Sequence, residues 1–250
     1  MKKSLRVLGL LVGICLVTAP ANAYVTIFSD DFESGSFNSG WSMNKVVYSS
    51  AGLNTGSNNQ APGAWLGGWY PGTLFGPNAV ATGEGGLLQG NYQGKVWPDY
   101  DGWAGDWANH NIVTVSLLHN HVITADDIAN GGYQMDLNYK FQPTVGAGSG
   151  AFAFAGLFNS DFSQNWWNNR QVLSFNGGNW SASAVRMDLN DPGAIGANLQ
   201  FGVTVYAQDY SANGLYVDNV TISNVPEPSS VALISLGMAG LLALRLRRKV

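Results

Sequence analysis

Tyr133-Gln134-Met135-Asp136-Leu137-Asn138-Tyr139-Lys140-Phe141 alternates apolar and polar residues through its whole length. Successive side chains of a strand point to opposite faces, so Tyr, Met, Leu, Tyr and Phe share one face and Gln, Asp, Asn and Lys the other. That is the pattern of a half-buried antiparallel strand. Leu199-Gln200-Phe201-Gly202-Val203-Thr204-Val205 repeats it. Working outward, short runs of β-branched and aromatic residues stand between Gly, Asn and Ser clusters, and no long stretch has a helical period. Strands are expected at 24–28, 45–48, 112–118, 133–141, 151–158, 171–175, 183–189, 199–206 and 215–222. Asn176-Gly177-Gly178-Asn179 and Asn190-Asp191-Pro192-Gly193 read as turns. Asp126-Asp127-Ile128-Ala129 reads as one helical turn with Thr124 as its cap. The expected fold is all-β, a two-sheet antiparallel sandwich.

Residues 49–109 interrupt this pattern. They are loaded with Gly, Asn and Trp, as in Ala64-Trp65-Leu66-Gly67-Gly68-Trp69-Tyr70 and Val96-Trp97-Pro98-Asp99-Tyr100-Asp101-Gly102-Trp103. A loop of that length is improbable inside a compact domain, so short strands are expected near 64–69 and 95–97. No repeat period is visible.

The two ends do not belong to the fold. Met1-Lys2-Lys3-Ser4-Leu5-Arg6, an apolar segment from Val7 to Val17 and the small-residue site Ala21-Asn22-Ala23 form a secretory signal peptide over residues 1–23. The one cysteine, Cys15, lies inside it behind Ile14, which does not suit a lipidation site. The remaining chain therefore has no disulfide to stabilise it. At the other end stand Val225-Pro226-Glu227-Pro228, an uncharged run from Val231 to Leu244, and Arg245-Leu246-Arg247-Arg248-Lys249. The prolines hold an extended peptide that a protease can read. The run is just short of a bilayer core, and the basic cluster stays on the cytoplasmic side. A domain at 24–224 lies between the ends, within the size of one core. It holds five Lys and Arg against fifteen Asp and Glu, a formal charge of -10. Such a surface repels phosphate backbones, which excludes nucleic acid and leaves cations and neutral partners.

The tail at 225–250 closely resembles the PEP-CTERM sorting signal of Gram-negative bacteria. The resemblance implies an exosortase-type membrane protease acting near Pro226, Glu227 and Pro228, after signal peptidase has removed the leader. The protein would be held transiently in the inner membrane and then pass to the cell surface or the extracellular matrix.

Two fragments at opposite ends of the domain carry a second resemblance. Asp30-Asp31-Phe32-Glu33-Ser34-Gly35, with Trp41 following, opens it, and Leu215-Tyr216-Val217-Asp218-Asn219-Val220-Thr221-Ile222 closes it. Together they are similar to jelly-roll carbohydrate-binding modules and the galactose-binding-like sandwiches, whose first and last strands are neighbours. The resemblance implies a structural calcium ion held by Glu33 and Asp218, with Asp31 a further ligand. Calcium takes six to eight oxygens, and clustered carboxylates need a cation to relieve their repulsion. The competing reading leaves Asp31 and Glu33 as exposed hairpin residues and Asp218 as an outward strand position.

The chain has nine tryptophans. Indole faces stack on the apolar faces of sugar rings while neighbouring amides bind hydroxyls, and binding residues favour loops. Trp65, Trp69, Trp97, Trp103 and Trp107 are therefore candidate polysaccharide contacts, with Trp166-Trp167-Asn168-Asn169-Arg170 a further cluster. Trp is equally the largest core filler. Asp99, Asp101 and Asp106 suggest a cation loop but do not complete the EF-hand spacing. His119 and His121, two apart, would share a face with each other and join His110 in a metal set, although turn histidines are the commoner reading. Catalysis has little support: Glu84 with Asp99 or Asp106 is the one acid pair open to a glycoside hydrolase. The expected function is a non-catalytic, exported module that binds polysaccharide. The alternative is a structural coat protein without a specific ligand.

Overall fold

The computed structural model describes residues 25–48, 54–60, 84–98, 112–208 and 213–224. Among the described residues, eleven strands run in the order β1 (Thr26–Asp30), β2 (Trp41–Tyr48), β3 (Asn54–Gln60), β4 (Gly94–Val96), β5 (Ile112–Val122), β6 (Gly132–Phe141), β7 (Gly150–Phe158), β8 (Asn165–Leu173), β9 (Ser181–Asp188), β10 (Asn198–Gln208) and β11 (Leu215–Asn224). They form two antiparallel sheets. One has the order β1-β11-β6-β9, with β4 also paired to β11, and the other the order β3-β2-β5-β10-β7-β8. The first and last strands are neighbours, as the jelly-roll resemblance implies: Thr26 stands opposite Ser223 and Asp30 opposite Val220.

Binary patterning explains which faces meet. Tyr133, Met135, Leu137, Tyr139 and Phe141 are all buried, as their alternation predicts. They pack in one core with Leu215, Val217, Val220 and Ile222 of β11 and with Leu199, Phe201, Val203 and Val205 of β10. On β7 the small residues Ala151, Ala153 and Ala155 face inward, giving room to the large side chains of the facing sheet.

Several strands extend beyond their expected bounds. β5 runs on to Val122, and β8 spans Asn165–Leu173 where 171–175 is expected. β3 has the polar sequence NTGSNNQ, which carries no strand signal, and exists through its pairing with β2. β4 matches the strand expected near 95–97; the one expected near 64–69 lies outside the described residues.

The expected helical turn is α1 (Ala125–Ala129), closed by a capping box between Thr124 and Asp127. Asp127 is buried there and accepts from the Tyr133 hydroxyl, the Thr124 backbone at 2.7 Å and the Thr124 hydroxyl at 2.8 Å. Burial would raise its proton affinity, but these donors and His121 outweigh it and hold the carboxyl below its usual range. Both targeting segments lie outside the described residues.

Candidate functional site

Asp30, at the end of β1, organises the turn that follows. Its Oδ1 accepts from Phe32 N–H at 2.9 Å, and its Oδ2 from Asn38 N–H and Trp41 Nε1, each at 2.9 Å. Phe32 is held buried at a left-handed φ of 57°. The Asp-Phe-Glu turn is thereby fixed, and it projects Asp31 and Glu33 outward. Asp31 accepts from Glu33 N–H at 3.2 Å, and Glu33 Oε1 accepts from Tyr92 N–H at 2.9 Å. Glu33 presses against Gly90, whose missing Cβ would collide with the carboxylate.

Asp218 lies on the outward face of β11 yet is only 1% exposed. Its Oδ1 accepts from Asn219 N–H at 2.7 Å, and its buried Oδ2 has no partner. Asn219 sits at a ladder irregularity with φ 50°, and its amide donates to Leu88 O at 3.0 Å. Burial pushes the Asp218 carboxyl up to about 6. The Asn219 and Gly90 N–H groups oppose this, while the charges of Glu33 and Asp31 add to it. The structure thus brings Asp31, Glu33 and Asp218 into one electrostatic neighbourhood.

The segment 84–93 lies against this corner through Glu33, Asp218 and Asn219. Two further acceptors are unmatched on the same sheet: Gln93 Oε1, beside β4, and Asn138 Oδ1, directly across from Asp218. Donors of this kind, all oxygen and partly anionic, suit a hard cation. Among the described residues no three acidic or imidazole side chains converge closely enough to hold an ion alone. A cation would therefore draw on Asp218 and Glu33 together with neighbouring carbonyl oxygens. Sequence reasoning missed Gln93 and Asn138, because only the strand pairing places them beside Asp218.

Trp65, Trp69, Trp103 and Trp107 lie outside the described residues, as do Asp99, Asp101, Asp106 and His110. Trp97 is half-buried just after β4, with Lys95 Nζ 4.1 Å from its ring centroid and Gly214 close against the ring. Trp41 is buried in the core. Trp180 donates from Nε1 to Glu84 O at 2.8 Å, and the Glu84 carboxylate pairs with Lys140 at 2.7 Å. Trp166, on β8, is 46% exposed. His119 stacks on Phe28 with centroids 4.1 Å apart and faces Gly40 O, while His121 pairs with Asp127 at 2.9 Å. Burial lowers the His119 pKa. Both histidines have protein partners.

The outward face of the six-stranded sheet has a different character. Alternation on β7 turns Phe152, Phe154 and Phe158 away from the core, the reverse of what residue size alone suggests. Three glycines make room for aromatic rings: Gly202 lies under Phe154, Gly156 against Phe158 and Gly150 against Tyr206. Beside them runs a cleft of about 770 Å³ whose lining includes Asn44, Asn120, Phe158, Asp161, Phe162 and Gln200. The Phe158 and Phe162 rings stand 5.7 Å apart, Gln200 donates to Asn120 at 2.9 Å, and Asn44 Oδ1 is unmatched. Aromatic rings beside amides and a carboxylate can take a ligand that has both apolar faces and hydroxyls.

The family model of the PEP-CTERM protein-sorting motif matches residues 224–249. A comparison with curated proteins returns no match. Among solved structures, TmCBM61 in complex with beta-1,4-galactotriose is 14% identical, with 77% of this chain and 92% of that chain covered and a TM-score of 0.37. The CBM22-1 xylan-binding domain of Paenibacillus barcinonensis Xyn10C is 13% identical over 82% of this chain and 98% of its own, with a TM-score of 0.38. A cyclase from Fischerella sp. TAU is 14% identical over 82% and 98%, with a TM-score of 0.40. The sandwich architecture itself stands on this chain's own strand pairing. The chain carries a PEP-CTERM sorting motif, which indicates export and transient membrane anchoring before surface or extracellular release.

Proposed function

We propose that the domain is a non-catalytic polysaccharide-binding module, exported by signal peptidase and exosortase processing to the surface of a Gram-negative cell. The observation that carries this reading is the cleft beside Phe158 and Phe162, where aromatic rings and side-chain amides share one open sheet face. The acidic domain favours an uncharged glycan over an anionic one. Calcium would be held by Asp218 and Glu33, with Asp31 as a further ligand, and would neutralise the negative charge of Glu33 and Asp31 that adds to burial in raising the proton affinity of Asp218. Its part is structural: it would tie the β1–β2 turn to β11. Trp65, Trp69, Trp97, Trp103 and Trp107 would add a second aromatic surface from the loop-rich segment. The Glu84 carboxylate, the acid a hydrolase would need, is paired with Lys140, which speaks for the binding reading over the hydrolase alternative.

Titration calorimetry of residues 24–224 against neutral polysaccharides tests the reading. Phe158→Ala should weaken binding about tenfold, as stacking worth about 1–3 kcal/mol on aromatic side chains implies, and Asn120→Ala should weaken it by several-fold through a lost hydrogen bond worth about 0.5–1.5 kcal/mol. Trp103→Ala probes the loop surface in the same way. Wild-type protein that binds no glycan would leave the structural-coat alternative.

A further inference from the structure

We propose that His119 and His121 form a two-imidazole site for a divalent first-row transition ion of the nickel, copper and zinc group. The site depends neither on the carboxylates assigned to calcium nor on glycan binding in the cleft. On β5 the inward face reads Val113, Val115, Leu117, His119, His121, and Ile123 follows in the same alternation. Val113, Val115, Leu117 and Ile123 are buried. Two imidazoles thus interrupt an aliphatic stripe, at positions that leucine would fill without a polar group to satisfy. Both rings are packed by the facing sheet. Phe28 of β1 stacks on His119 with centroids 4.1 Å apart, and Tyr133 of β6 meets the His121 ring at 5.6 Å.

Each ring's hydrogen bond fixes its tautomer. A backbone carbonyl only accepts, so His119 Nδ1, 3.0 Å from Gly40 O, carries the proton. Asp127 is held as a carboxylate, so His121 Nε2, 2.9 Å from its Oδ2, carries the proton there. In the neutral rings the opposite nitrogens, Nε2 of His119 and Nδ1 of His121, are then lone pairs. Among the described residues nothing bonds to either nitrogen, and neither is a buried atom left unmatched. A metal-ligating histidine has this form: one nitrogen takes the ion while the other donates to a carbonyl or carboxylate that fixes the ring and raises its basicity. His119 has the carbonyl and His121 the carboxylate.

Residues two apart on a strand share a face, with about 7 Å between their Cα atoms. Burial lowers the His119 proton affinity and the His121 charge lowers it further, so the two rings stand within each other's field. Metal–nitrogen bonds of about 2.0–2.1 Å bring two ligand nitrogens to within about 4 Å of each other, which side chains of this length and spacing can span. Imidazole suits nickel, copper and zinc, whereas calcium takes oxygen. Among the described residues no third acidic or imidazole group joins the pair, so water completes the coordination.

Copper(II) binds such nitrogen sites most tightly of the three and is the probe. The test is its titration into the full chain in detergent, in excess calcium, followed by calorimetry and electron paramagnetic resonance. The expected result is one ion per chain with splitting from two imidazole nitrogens. His119→Phe keeps the stack on Phe28, and His121→Gln keeps a donor to Asp127. Each is expected to weaken binding by about tenfold or more and to leave a single imidazole nitrogen in the spectrum. Asp127→Asn is expected to weaken it about tenfold while both nitrogens remain, a combination that lost packing does not produce. Melts without metal show which variants are folded; where one is not, the wild-type spectrum decides. Absence of bound copper, a wild-type spectrum without two imidazole nitrogens, or folded single variants that bind as wild type does overturn the proposal. So does binding that is lost in His110→Ala while both variants of the pair keep it.

Discussion

Asp30 accepts hydrogen bonds from Phe32, Asn38 and Trp41, so a carboxylate that is nearly buried is fully matched. Asp218 is more deeply buried and keeps one oxygen with nothing to accept from. Its proton affinity is raised, from 3.8 to about 6. Between these values the folded protein binds more protons than the unfolded chain, so this residue's contribution to stability rises as pH falls from about 6 towards 4. Asp218→Asn keeps the acceptor for Asn219 N–H and removes the charge. Without calcium, this variant should melt higher than wild type at pH 7, by an amount equivalent to about 1–3 kcal/mol. The advantage should fade as pH approaches 4. His119 acts in the opposite sense: burial depresses its pKa, so its contribution is lost as pH falls below about 6.5. It is common to both proteins and cancels in their difference. Thermal melts in EDTA across this range check the expectation, and equal midpoints at pH 7 would contradict it.

On the scale of elements, β10 and β7 build the open face by pairing glycines with rings. A Cβ at Gly202 would run into the Leu117 carbonyl oxygen and come within 2.9 Å of the Phe154 ring. Gly202→Ala should therefore destabilise the domain by about 1–3 kcal/mol, as overpacking does. Chemical denaturation measures this; an unchanged midpoint would mean that the ring does not cover the glycine. Strands with strict alternation were legible in the sequence, as β6 shows. β8 was legible only in part, because NWWNNRQVL has no period and is held by its register with β7. β3 was not legible at all: a polar edge strand has no buried face to mark it.

For the whole molecule, a cysteine-free and strongly acidic domain depends on its core and on whatever neutralises its carboxylates. An ion that binds only the folded form raises stability by about 2.7 kcal/mol at a hundredfold excess over Kd. Melting the domain in EDTA and then in millimolar calcium should show a rise for wild type, and Glu33→Gln or Asp218→Asn should abolish most of it. Identical midpoints for wild type in both conditions would remove calcium from the account. Asp218→Asn then carries a double signature: a higher midpoint without calcium and no gain with it.

The sequence by itself determined the all-β class, the core face of each alternating strand, the capped turn at Thr124 and the sorting motif. All of these are local, since period, capping and motif spacing act within a few residues. It also named Asp31, Glu33 and Asp218 as a group, through a resemblance that joins both ends of the domain. Only the tertiary structure decided that Asp30 holds the turn, that Asp218 is buried with an unmatched oxygen, and that Asn138 and Gln93 lie near it. The same is true of the open face, where ring and glycine meet across strands far apart in the chain. The physical reason is that burial and cross-strand pairing depend on which sheet a strand joins. Sequence period reports only which side of its own strand a residue takes.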